Sequence, residues 1–219
     1  MAHLPILETP MNDQQWLDKW NHNFQRPEYV YGTEPNVFFR QEIASLPPGR
    51  LLLAAEGEGR NAVHAARQGW QVSAFDISAA GRDKALKLAA AAGVAIDYQV
   101  GELPELRFAA APFDALALIY AHFPPHLKSA YHRHLAGLLR PGGTVIFEAF
   151  SKEHLAYRSR DSRIGGPADL ASLFSEEEIR EDFQGFEVLT LHTQEITLSE
   201  GLFHNGVGSV VRFVGRKLG

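Results

Sequence analysis

The sequence predicts an α/β domain, doubly wound around a mostly parallel sheet of seven strands, with an antiparallel C-terminal strand pair at one edge. Three observations predict it. Short, continuous apolar runs alternate with helical stretches from Leu51 onward, as strands covered on both faces should. Each helical stretch is stopped by glycine, and the connections are short. In the last third the alternation stops, and two long β-type runs follow one another.

The first strand is expected at 51–55, running into Glu56–Gly57–Glu58–Gly59. A helix over 61–66, stopped by Gly69, leads to a second strand at 71–75 that ends on Asp76. Ser78 caps an alanine-rich helix reaching about Ala92, with Gly93 as terminator. Further strands fall at 96–100, 114–120 and 144–150. Residues 126–139 are helical, and Pro141–Gly142–Gly143 serves as stop and turn. A helix over 175–183 precedes strands at 187–197 and 207–216, joined by a segment containing Gly201 and Gly206.

Two segments lie outside that rhythm. Residues 12–24 place Trp16, Trp20 and Phe24 at i, i+4 and i+8, one aromatic stripe on a helix, with Asn12 and Gln15 resembling a capping box. The stripe suits a face packed on the domain, and it also suits a roof over a pocket. The polar stretch 152–167 reads as a loop carrying Arg158, Arg160 and Arg163. These arginines suit either a solvated surface or the attraction of an anionic ligand.

Composition narrows the function. The 219 residues contain no cysteine, which removes disulfides, thiolate metal sites, iron–sulfur clusters and cysteine nucleophiles. A net charge of −5 has the wrong sign for a chain that grips nucleic acid. No apolar run approaches the roughly 18 residues of a membrane span. Residues 1–13 lack a basic start followed by an apolar block, so no signal peptide is expected and the expected location is cytoplasmic. His132 and His134 face different ways on a helix, and Pro124 and Pro125 separate His122 from His126, so no metal site is expected.

The chemistry is concentrated at the end of the first strand. Gly57 and Gly59 offer backbone without side chains ahead of a helix N-terminus, where a ligand approaches closely. Asp76 ends the next strand, where a carboxylate can hold two ribose hydroxyls. Together they point to an adenosine-containing cofactor. Gly57-x-Gly59-x-x-Ala62 also matches the dinucleotide fingerprint, so an NAD(P)-dependent oxidoreductase is the competing reading. Against it, Glu56 and Glu58 flank the place where a pyrophosphate would lie, a repulsion on the order of a few kcal/mol. S-adenosylmethionine, with an ammonium and a sulfonium and no phosphate, suits that site. Arg60 pairs equally well with a phosphate or a methionine carboxylate.

The run from Leu51 to Gly59, residues 72–76, Glu102, and Leu138–Leu139–Arg140–Pro141–Gly142–Gly143 resemble the motifs of class I S-adenosylmethionine-dependent methyltransferases. Trp20–Asn21, the string Tyr29–Val30–Tyr31–Gly32–Thr33–Glu34–Pro35–Asn36 and Glu56–Gly57–Glu58–Gly59–Arg60–Asn61 are similar to the tellurite-resistance and thiopurine methyltransferase-like group. The resemblance implies a Rossmann-like fold in a single domain. That domain has an N-terminal helical cover (1–45), a cofactor-binding core (46–150), a loop near the acceptor site (151–172), and a C-terminal helix with the antiparallel pair (173–219).

It further implies that Glu56, Gly57 and Gly59, with Arg60, hold the methionine end of the cofactor. Asp76 and Ile77 take the ribose and the adenine edge, and Glu102 and Leu103 reach the adenine. Tyr120 and Ala121 lie under the transferring methyl, and Tyr29, Tyr31 and Asn36 belong to the cover. The expected reaction is direct in-line transfer to a small molecule with a sulfur, selenium, tellurium or oxygen nucleophile, by a monomer or homodimer. A non-catalytic S-adenosylmethionine-binding protein is the other alternative. No catalytic residue follows from the motifs. His122, just past the fourth strand, is the candidate general base, and a loop histidine beside Phe123–Pro124–Pro125 is the plainer reading.

Overall fold

A computed structural model describes residues 13–108 and 111–219. Seven strands form one sheet: β1 (Arg50–Ala54), β2 (Gln71–Asp76), β3 (Asp97–Val100), β4 (Phe113–Ile119), β5 (Leu139–Phe150), β6 (Phe186–Glu200) and β7 (His204–Lys217). Their order is β3-β2-β1-β4-β5-β7-β6. β7 lies antiparallel between β5 and β6, and the other neighbours pair in parallel. The predicted fold class therefore holds, including the antiparallel pair at one edge.

Helices are α1 (Asp13–Phe24), α2 (Val37–Ala44), α3 (Arg60–Arg67), α4 (Ala79–Ala91), α5 (Lys128–Gly137), α6 (His154–Arg158) and α7 (Glu176–Asp182). Alternate strand residues bury to opposite faces. Leu51, Leu53, Ala115 and Ala117 pack with Phe39 and Ile43 of α2 and Ala62 and Ala65 of α3. Leu52, Leu116 and Leu118 pack with Leu135 of α5, Ile179 of α7 and Phe183. The continuous apolar runs of the strands are thus covered by helices on both sides.

Local chemistry explains the boundaries. The Ser78 side chain accepts a hydrogen bond from Gly81 N and caps α4, as expected. Ser175 and Glu178 form a reciprocal capping box on α7. Asn12 of the other proposed capping box lies outside the described residues.

Several expectations are corrected. Pro141–Gly142–Gly143 is not a turn outside the strand. β5 begins at Leu139, opposite Phe113, and the glycines fall in an irregular stretch of its pairing with β4. The C-terminal strands run longer than expected: Gly206 lies within β7 opposite Leu198, and the turn shrinks to residues 201–203. The stretch 152–167 holds α6 and a 3₁₀ turn, Ser162–Ile164, rather than an unstructured loop.

Candidate functional site

A cavity of about 930 Å³ opens at the carboxyl ends of β1, β2 and β4. This is where open α/β sheets bind ligands. Its wall includes Glu56, Gly57, Asp76, Ile77, Tyr120 and His122, and α1 covers it with Trp16, Trp20 and Phe24. A second cavity, about 330 Å³, is lined by Ile77, Glu102, Leu103 and Tyr131. Trp16, Phe75, Ile77 and Phe123 line both. The aromatic stripe of α1 is therefore packing face and roof at once: Trp16 and Phe24 are buried, and Trp20 stacks on Phe24 at 5.6 Å.

Two carboxylates dominate the floor. Glu56 Oε1 accepts hydrogen bonds from Asn61 N (2.9 Å) and Ala62 N (2.8 Å), so the first turn of α3 is capped from within the protein. Asp76 accepts from Gly57 N (3.0 Å) and Ser78 N (2.9 Å). Burial pushes Glu56 up to about 7 and Asp76 up to about 6, although backbone hydrogen bonds pull both the other way. Neither carboxylate forms an ion pair among the described residues, although the Arg60 charge acts on Glu56, and such groups favour a ligand that brings positive charge and hydroxyl donors. S-adenosylmethionine fits that requirement. A pyrophosphate does not, because Glu56 already occupies the N–H groups of α3 that would receive it.

Other predicted residues fall differently. Glu58 is no cavity residue: its carboxylate is buried, accepts from Val30 N (2.7 Å) and pairs with Lys84 Nζ at 2.6 Å. The electrostatic case against a pyrophosphate therefore rests on Glu56 alone. Gly59 faces α4, where an added Cβ would come within 2.5 Å of Ala85 Cβ. Its glycine serves helix packing, not the ligand cradle. Gly57 does line the cavity, with a positive φ of 61°. Ala121 is buried in the core beneath the site.

In the cover, Tyr31 lines the cavity, but Tyr29 and Asn36 do not. The Tyr29 hydroxyl donates to Lys84 O (3.1 Å). Asn36 caps α2 by accepting from Phe39 N, and its amide donates to Glu148 Oε1 (2.7 Å) and Glu200 Oε1 (3.0 Å). Arg60 lines the cavity, yet its guanidinium is held by Glu200 Oε2 (2.9 Å) and Tyr31 O (3.1 Å).

His122 lines the cavity between Phe150 and Phe174, with ring centroids 6.1 Å from each. Both of its ring nitrogens are buried, and among the described residues only the Ser172 backbone approaches them. Burial, with the nearby Lys19 charge, lowers it to about 3. Of the arginines at 158, 160 and 163, Arg158 lines the cavity and donates from Nε to Gly166 O (3.0 Å), whereas exposed Arg163 pairs with Asp161.

Sequence reasoning missed one wall. The turn between β6 and β7 carries Phe203, which with His204 faces the cavity. Gly206, read as a turn residue, hid this by suggesting a longer connection. Sequence reasoning also missed that Ala55 and Tyr120, both lining the cavity, hold positive φ values of 50° and 51°. Nothing in their residue types signals that.

Residues 52–143 match the family model of a methyltransferase domain. Solved structures share the fold at low identity. A protein described in the conversion of a disulfide bond into a thioacetal group during echinomycin biosynthesis is 19% identical, with a TM-score of 0.72 over 93% of this chain and 92% of that one. An S-adenosylmethionine-dependent methyltransferase from Anabaena variabilis is 17% identical, with a TM-score of 0.67 over 99% and 100%. TehB from Haemophilus influenzae is 14% identical, with a TM-score of 0.64 over 84% and 62%. No curated protein sequence matches the chain. Residues 52–143 thus carry the sequence pattern of a methyltransferase domain, and the chain shares its fold with solved S-adenosylmethionine-dependent methyltransferases.

Proposed function

We propose that the chain moves the methyl group of S-adenosylmethionine directly to a small-molecule acceptor with a sulfur, selenium, tellurium or oxygen nucleophile. The observation that carries this reading is the pair of carboxylates, Glu56 and Asp76, that face one cavity with no ion-pair partner among the described residues. In this reading Glu56 and Gly57 take the methionine end, Asp76 and Ile77 the ribose, and Glu102 and Leu103 the adenine in the second cavity. Bound S-adenosylmethionine supplies an activated methyl on a sulfonium, so the protein contributes orientation and a dry site. Tyr120 lies beside the transfer point. Tyr31 and His122 line the acceptor side, His122 as a neutral ring whose nitrogens are buried away from the cavity. Membership of the tellurite-resistance and thiopurine methyltransferase-like group is supported by the Glu56–Asn61 string and agrees with the fold shared with TehB. A cytoplasmic monomer or homodimer completes the reading. Among the described residues no helix is long and apolar enough to cross a membrane.

Calorimetric titration with S-adenosylmethionine, S-adenosylhomocysteine and NAD(P), followed by methyl transfer to a panel of thiols, phenols and chalcogen oxyanions, tests it. Binding of NAD(P) alone sinks the cofactor assignment. Cofactor binding without transfer to any acceptor favours a binding protein.

A further inference from the structure

Among the cavity-lining histidines, one is oriented as a proton acceptor must be. His204 opens β7, is 4% exposed, and forms part of the cavity wall between Tyr31 and Tyr120 (ring centroids 4.6 and 4.5 Å). Its Nδ1 lies 3.1 Å from Glu200 Oε2. That carboxylate is itself fixed on three sides, by Arg60 Nη2 at 2.9 Å, by Asn36 Nδ2 at 3.0 Å, and by the imidazole. Against the upward push of burial, the hydrogen bond from His204 and the Arg60 charge hold Glu200 at about 2, so it stays ionised. An ionised carboxylate at Nδ1 keeps the proton on that nitrogen and leaves Nε2 with its lone pair. Nε2 has no hydrogen-bond partner among the described residues, and the ring forms part of the cavity wall.

We propose that His204, oriented by Glu200, is the general base of methyl transfer, and that the acceptor therefore arrives protonated, as a hydroxyl or an un-ionised thiol. This rests on the methyltransferase reading above. His204 Nε2 takes the acceptor's proton while the acceptor's freed lone pair forms the new bond to the methyl carbon. The carbon–sulfur bond of the cofactor breaks with its electron pair going to sulfur, and the imidazolium then returns the proton to solvent. Burial lowers the affinity of His204 for a proton and Glu200 raises it, with Arg60 opposing, so the ring is neutral at the start. The titratable groups facing the ring are Glu200 of β6, Arg60 of α3, Tyr31 of the cover, Tyr120 after β4, and the imidazoles of His122 and His154.

Two measurements test the dyad. In imidazole nitrogen spectra of nitrogen-15-labelled protein at neutral pH, His204 is expected as the Nδ1–H tautomer, and Glu200→Gln should release that preference. A dominant Nε2–H form overturns the proposal. In transfer assays, His204→Gln should slow methylation of a phenol about 10²–10³-fold, within the usual range for a lost general base. A thiophenol of matched shape, already ionised, should slow no more than about threefold. Equal losses on both acceptors overturn the proposal. S-adenosylmethionine affinity of the variant serves as the folding control. Absence of cofactor binding by the unaltered protein sinks the methyltransferase reading itself; cofactor binding with phenol transfer that ignores His204→Gln sinks the dyad alone.

Discussion

At the scale of single residues, the site is defined by groups kept away from their ordinary states. Ala55 and Tyr120 sit in left-handed backbone conformations at the ends of β1 and β4, each at a cost of about 1–3 kcal/mol. Both border the cavity, where neighbouring strands hold them. Glu56 and Asp76 are protonated more readily than free carboxylates because burial outweighs their hydrogen bonds. A cationic ligand needs them ionised, so affinity for S-adenosylmethionine should rise between pH 5 and 8 and level off above it; calorimetry across that range checks this. Glu56→Ala and Asp76→Ala should each weaken binding at pH 8 by about 1–3 kcal/mol through lost charged hydrogen bonds. Unchanged affinity in both would refute the placement of the cofactor. The residue types at 56, 57 and 76 were readable from the strand–glycine–helix pattern. The strain at 55 and 120 was not, since backbone torsion set by neighbouring strands leaves no mark on composition.

Between elements, small contacts decide how the cover and the helices sit. Glu58 joins the glycine loop to the cover through Val30 N, and Lys84 of α4 neutralises it. Lys84→Met leaves that carboxylate buried and uncompensated. It should cost about 3 kcal/mol in denaturant unfolding, at the low end for a broken buried ion pair because Lys84 keeps some contact with water. Gly59 is required by the crossing of α3 and α4. Gly59→Ala should destabilise by about 1–3 kcal/mol from overpacking, and adding Ala85→Gly should recover part of it. If Ala85→Gly recovers nothing, backbone conformation at residue 59 accounts for the loss. Helices such as α4 and α7 were legible because Ser78 and Ser175 carry their caps in the sequence. The roles of Glu58, Asn36 and Gly59 were not, since apart from the Asn36–Phe39 cap their partners lie 25 to 164 residues away along the chain.

For the whole molecule, buried acids make stability depend on pH in an unusual direction. Glu56 binds its proton more tightly folded than unfolded. Its contribution to stability is therefore complete below about pH 4.5 and is lost as pH rises through about 7. Glu56→Gln should gain stability relative to the unaltered protein as pH rises from 5 to 8, by melting temperature without ligand; a constant difference would contradict the burial argument. His122 acts in the opposite sense: held near 3, it contributes stability that is lost as pH falls from about 6.5 through 3. The sheet order explains why the cofactor was readable and the acceptor less so. β1, β2 and β3 with their short motifs build one side, whereas α6, the β6–β7 turn and α1 build the other from segments without signatures. The same arrangement makes the molecule modular. On the proposed reading, changes near β5, β6 and β7 should redirect acceptor choice while the donor side stays intact, and the Arg60–Glu200 ion pair is where the two sides touch.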